Sequence, residues 1–171
     1  MGGNLGPMKT VYLVRHAKSS WDNPHLKDRD RPLKGRGIRD AHLMAAWLAE
    51  EVQPVPAMVS SPATRALHTA LIFARTFGQP LDFIQTHEVL YEMSVTQLLT
   101  FLRQLPDSMD AVMVFGHNPT YTAFLNRCVD QLIDNVPTAG VACLRFDVGV
   151  WKDLEFDAEL CFFDFPKNHK S

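Results

Sequence analysis

Val11-Tyr12-Leu13-Val14-Arg15-His16 opens the folded patterning of this chain. Four apolar or aromatic residues in an unbroken run read as a short strand buried on both faces, the habit of a parallel sheet. A polar loop from Lys18 to Lys34 follows. Ile38, Ala41, Ala45, Leu48 and Val52 then recur at steps of three and four, the stripe of an amphipathic helix that Pro54 and Pro56 end. Ala57 to Ser60 reads as a second strand. Ser61-Pro62 reads as a cap residue and a proline at the first helical position, with Leu67, Leu71 and Ala74 inward and Gly78 just past the end. A brief strand is predicted over Leu81 to Ile84. Ser94-x-x-Gln97 is a capping box opening a helix with Val95, Leu98, Leu99 and Leu102 inward. Ala111-Val112-Met113-Val114-Phe115 is the clearest buried strand. Asn118-Pro119 again reads as a cap and start, for a helix carrying Phe124, Leu125, Cys128 and Leu132. Val141 to Val150 and Leu154 to Phe163 read as two strands joined by a turn near Trp151-Lys152-Asp153.

The alternation of strand and helix defines the class as α/β. It predicts a three-layer α/β/α sandwich, with a mostly parallel central sheet and a C-terminal β-hairpin. No internal repeat or linker divides the chain, so one domain is expected over 8–171. The Gly-rich stretch 1–7 is expected to be a flexible N-terminal tail.

Composition bounds the function. The chain has 171 residues, a formal net charge of −2, 21% charged and 46% hydrophobic residues. That excludes collagen, disorder and coiled coil as whole-chain readings. The balance of charge excludes a general binder of nucleic acid or of anionic membrane. Cys128, Cys143 and Cys161 are odd in number and flanked by apolar residues, as buried free thiols in a reducing compartment are. No apolar run is long enough for a transmembrane helix, and the N-terminus lacks a signal-peptide pattern. A cytoplasmic protein is expected.

In open parallel sheets, ligands bind beyond the carboxyl ends of the strands. The first strand delivers Arg15-His16 there. The second delivers Ser60-Ser61-Pro62-Ala63-Thr64-Arg65, and the strand ending at Phe115 delivers Gly116-His117-Asn118. Singly, each is ordinary: a histidine after a strand commonly bonds its loop, and an arginine in a first helical turn is commonly solvated. Together they describe a chemistry. Guanidinium groups hold phosphate or carboxylate oxygens bidentately and stay charged. Imidazole is a nucleophile toward phosphorus. Phosphoryl transfer needs little beyond positioning and charge stabilisation. The set reads as metal-free phosphoryl transfer through a phosphohistidine, with the helix starts at Ser61-Pro62 and Asn118-Pro119 adding positive dipole ends.

Val11-Tyr12-Leu13-Val14-Arg15-His16-Ala17-Lys18-Ser19 resembles the signature of the histidine phosphatase superfamily, also called phosphoglycerate mutase-like. Arg31-Pro32-Leu33-Lys34-Gly35-Arg36-Gly37, Ser60-Ser61-Pro62-Ala63-Thr64-Arg65-Ala66 and Phe115-Gly116-His117-Asn118-Pro119 continue it in family order, from Thr10 to Thr120. The Arg-His-Ala-Lys-Ser-Ser-Trp wording and the short chain are similar to the SixA-type phosphohistidine phosphatases. The resemblance implies roles. His16 is the nucleophile, Arg15 and Arg65 clamp phosphoryl oxygens, and His117 donates to one of them. Ser19 offers a hydroxyl to the phosphoryl group. Many members add an acid that protonates the leaving group; Glu92 fits the family spacing better than Glu88. A solvated residue ahead of a helix is the plainer reading of Glu92. Asp22 stands where relatives often place Asn, and no role is assigned to it. Lys18 and Trp21 read as rim or ordinary loop residues.

The remaining histidines lack ligand spacing, so no metal and no cofactor are called for. The expected activity is removal of phosphate from phosphohistidine in a protein. The rivals are a phosphatase or mutase for a small phosphate ester, and a non-catalytic phosphoprotein-binding module. The expected partner is a phosphohistidine-bearing protein or a small phosphorylated substrate. Oligomeric state is left open.

Overall fold

The computed structural model describes residues 6–170. Most of the predicted N-terminal tail, residues 1–5, lies outside the described residues. Strands β1 (Lys9–Arg15), β2 (Ala57–Ser60), β3 (Ile84–Thr86) and β4 (Ala111–Gly116) are joined to β5 (Val141–Phe146) and β6 (Glu159–Asp164) in one sheet of order β3-β2-β4-β1-β5-β6. The first four run parallel, and β5 runs antiparallel to both β1 and β6. The helices are α1 (Gly35–Glu51), α2 (Thr64–Thr76), α3 (Val95–Arg103) and α4 (Thr120–Cys128).

Strand alternation sorts the core into two layers. Val11, Leu13, Val59, Val112 and Val114 face Leu98, Leu102, Phe124 and Leu125 of α3 and α4. Val14, Met58, Met113 and Phe115 face Met44, Leu48, Ala70 and Phe73 of α1 and α2. The continuous apolar runs are continuous because both faces are covered. The predicted three-layer sandwich, mostly parallel sheet and terminal hairpin are present.

Several local readings are corrected. Ser61 does not cap α2, which begins at Thr64; the Ser61 hydroxyl instead accepts from the Ala63 N–H at 3.2 Å. The buried face of α2 is Ala66, Thr69, Ala70 and Phe73, while Leu67 and Leu71 are half-buried. Small residues let this helix approach closely, so side-chain size was a poor guide to facing. Leu81–Phe83 form a 3-10 turn, and the edge strand starts only at Ile84. Helix α4 starts at Thr120 and stops at Cys128, so Leu132 lies beyond it and is 84% exposed. The hairpin strands are shorter than predicted. Between Phe146 and Glu159 the chain dips to bury Trp151 and Leu154 completely. Cys161 is exposed; only Cys128 and Cys143 are buried. The Ser94–Gln97 capping box is present in both directions, with Gln97 N–H to Ser94 Oγ at 3.1 Å and Ser94 N–H to Gln97 Oε1 at 2.8 Å.

Register places the site. Arg15 pairs with Gly116 across β1 and β4, and Ser60 pairs with Phe115 across β2 and β4. Three strand ends are therefore level, and the residues that leave them meet.

Candidate active site

His16 leaves β1 with its N–H on the Gly116 carbonyl at 3.0 Å, and His117 leaves the adjacent strand one residue later. Their ring centroids are 5.2 Å apart. Nδ1 of His16 lies 2.8 Å from the Ala17 carbonyl. A carbonyl only accepts, so Nδ1 carries the proton and the neutral ring keeps its lone pair on Nε2. His16 is buried and His117 half-buried. Burial, with Arg65 and Arg15 nearby, pushes His16 down to about 4. Burial, then the His16 ring and Arg65, push His117 down to about 3. Nε2 of His117 is 2.8 Å from the Ser61 hydroxyl, which fixes the ring's outer edge.

The arginines are tied from behind. Arg15 Nη1 donates to the Val136 carbonyl at 2.8 Å. The same segment closes over the exit of β1. The Ala139 N–H reaches the Arg15 and His16 carbonyls at 3.1 Å, with Ala139 in the left-handed region at φ 60. Arg65, in the first turn of α2, donates to the Asp28 carbonyl at 2.7 Å and to Asp28 Oδ2 at 3.0 Å. Among the described residues, the Nε atoms of Arg15 and Arg65 are buried without a partner, as is that of Arg145 on β5. At Arg15 and Arg65 the unused donors belong to side chains that line a cleft of about 350 Å³.

That cleft gathers Arg15, His16, Ser19, Arg65, Glu92 and His117, every residue given a role above except the alternative acid Glu88. Glu88 is exposed and paired with Arg29 at 2.9 Å. Lys18 and Trp21 stand at the cleft as well, both exposed. Asp22 does not line it. Ser19 is buried, its Oγ accepting from Arg31 Nη1 at 2.9 Å.

Asp28, Arg31, Tyr91, Asn118 and Thr138 also line the cleft, and sequence reasoning assigned none of them a role. Asp28 is tied to several of the cleft's other side chains. Its carboxylate in fact joins Tyr91, Arg65 and Arg31. The Tyr91 hydroxyl foremost, with both arginines, holds Asp28 down to about 2, so it stays ionised. Arg31 opens the Arg31–Gly37 motif, and the i, i+3 spacing of Asp28 and Arg31 was the available signal. Tyr91 is 63 residues from Asp28, and nothing local announces that pair. The cleft is lined by Arg15, Lys18, Arg31 and Arg65 against Asp28 and Glu92, four cations to two acids. Such a set can hold a dianion, present a neutral imidazole nucleophile to it and stabilise charge on its oxygens.

Fold and cleft together define a phosphoryl-transfer enzyme of the α/β class. Residues 11–100 match the family model of the histidine phosphatase superfamily (branch 1), and the chain belongs to that family, as a hydrolase of phosphatase type. An uncharacterised protein of Mycobacterium tuberculosis is 32% identical over 153 residues, 83% of this chain and 92% of its own length. A solved structure assigned as phosphohistidine phosphatase SixA from Agrobacterium tumefaciens is 28% identical, with a TM-score of 0.75 over 91% of this chain and 96% of that one. The protein histidine phosphatase SixA complexed with tungstate has a TM-score of 0.80 over 94% of this chain and 99% of that one, at 21% identity. A phosphoglycerate mutase from Bacillus anthracis shares the fold at a TM-score of 0.62.

Proposed function

We propose that this chain is a metal-independent phosphatase that works through a covalent phosphohistidine on His16, and that it removes phosphate from phosphohistidine in a protein. Residues 8–171 form the one domain that carries the activity. The observation that bears most weight is the hydrogen bond from His16 Nδ1 to the Ala17 carbonyl, because it leaves Nε2 as the free nucleophile in a cleft holding three arginines.

In the first step, Nε2 forms a bond to phosphorus while the substrate's bond from phosphorus to the leaving group breaks. Arg15 and Arg65, whose side chains line the cleft, hold the phosphoryl oxygens, and His117 stabilises the charge that gathers on them. In the second step, water attacks phosphorus and Nε2 recovers its electron pair, giving dihydrogen phosphate and the original neutral ring. A phosphohistidine ring that arrives protonated on its distal nitrogen leaves as neutral imidazole and needs no acid. The assignment of the 28%-identical Agrobacterium tumefaciens structure as a phosphohistidine phosphatase favours this substrate. The test is phosphate release from phosphohistidine protein, phosphoramidate and phosphate esters without added metal. Turnover by the wild type, acid-labile label on the chain, and loss of both in His16→Ala are expected. Retained turnover in His16→Ala refutes the mechanism.

Glu92 supports a second reading. It lines the cleft, where a carboxyl could protonate the alkoxide of a small phosphate ester. If esters are the substrate, Glu92→Gln loses ester hydrolysis at least about a hundredfold, the lower range for a general acid. If phosphohistidine is, that variant keeps most phosphoramidate hydrolysis.

A further inference from the structure

The chemistry above leaves Trp21 unused. This side chain is 71% exposed, yet it is not loose. One face of the indole rests on Arg31, whose guanidinium carbon is 3.4 Å from the ring centroid. Arg31 is itself 7% exposed. It is pinned by Ser19 Oγ at 2.9 Å and by Asp28 Oδ1 at 3.2 and 3.1 Å. Asp28 in turn holds Arg65. The indole is therefore fixed, through two side chains, to the arginine that grips the phosphoryl group. Its other face is open.

In-line displacement puts the leaving group opposite the nucleophile. With phosphorus seated against His16, the leaving group points away from that ring, and Trp21 is an exposed side chain lining the same cleft. Resting on the phosphatase reading given above, we propose that Trp21 is the specificity-determining platform on which the imidazole ring of a substrate phosphohistidine stacks. The ring is flat and, in its reactive form, carries a positive charge that the face of an indole attracts. Asp28, ion-paired with both Arg31 and Arg65, offsets part of the Arg31 charge on the opposite face. Binding there favours the protonated ring, the form whose departure leaves neutral imidazole once the phosphorus–nitrogen bond breaks to His16. Sugar and glycerate leaving groups have no such face to offer.

The experiment compares a phosphohistidine peptide with phosphoramidate, which has the same bond type and no ring. Trp21→Ala is expected to lower kcat/KM on the peptide about tenfold and on phosphoramidate less than about twofold, with Trp21→Phe restoring most of the peptide activity. The unchanged phosphoramidate rate shows that the variant is folded and that His16 chemistry is intact. Equal loss on both substrates, or no loss on the peptide, overturns the proposal. Wild-type turnover of phosphoramidate but not of the peptide also overturns it and leaves the phosphatase mechanism standing. Turnover of neither refutes both.

Discussion

His16 and His117 are held neutral well below the pH at which free imidazole titrates, His16 near 4 and His117 near 3. The sign of the linkage follows. Unfolded histidines take up protons below about 6.5 that the folded rings refuse. The stability this contributes is fully present above that pH and is lost as pH falls toward the folded values. The melting temperature is therefore expected to drop between pH 7 and pH 5. Ring signals of His16 and His117 in a nuclear magnetic resonance titration should stay in the neutral form across that interval. A His16 midpoint near 6.5 would contradict the lowering that burial imposes on it. At this scale the sequence was readable where a residue leaves a strand, as Arg15, His16, Arg65 and His117 do. It was unreadable where a role comes from a distant partner, as when Tyr91 and Arg65 make a cleft residue of Asp28.

Between helix and loop the contacts are tighter. Gly37 lies in the first turn of α1, and a Cβ built there would sit 2.1 Å from the Lys18 carbonyl oxygen. That oxygen also accepts from the Lys34 N–H at 3.0 Å. The start of α1 and the loop leaving β1 are thus pressed backbone to backbone. Gly37→Ala should cost about 1–3 kcal/mol in chemical denaturation, as overpacking does. It should also lower kcat, because Lys18 and Ser19 must shift with the loop. A variant of wild-type stability and rate would show that the loop yields freely. Elements announced by chemistry at their ends, such as α3 with its capping box, were legible. Those judged by side-chain size were not. The small face of α2 and the exposed Leu132 both defeat the rule that large apolar residues point inward.

Across the whole molecule, the site and the support of the sheet lie at opposite ends of the strands. Trp151 is fully buried near the start of β1 and β4, its Nε1 donating to the Met109 carbonyl at 2.8 Å. The Lys9 ammonium lies 5.6 Å from its ring centroid. Trp151→Ala should cost about 3–5 kcal/mol by denaturant titration, the usual loss for a buried Trp. The kcat of the molecules that remain folded should be unchanged. A stable variant with reduced kcat would mean that the two ends are coupled. The three layers and the hairpin could be read from the alternation of strands and helices. The strand order could not, since pairing is decided by partners far apart in the chain.

That order has a consequence for the nascent protein. β4 sits between β1 and β2 but is made after both. Without residues 111–116, the places of β1 and β2 in the sheet are separated by a gap the width of one strand. Cotranslational folding must then keep those two edges apart, and unpaired edges are where chains join their neighbours instead. Both cleft histidines leave the strands of the seam that β4 closes. Phosphatase activity is thus silent on the ribosome until the sheet is nearly whole, and a chain truncated before Gly116 has no half-built version of it.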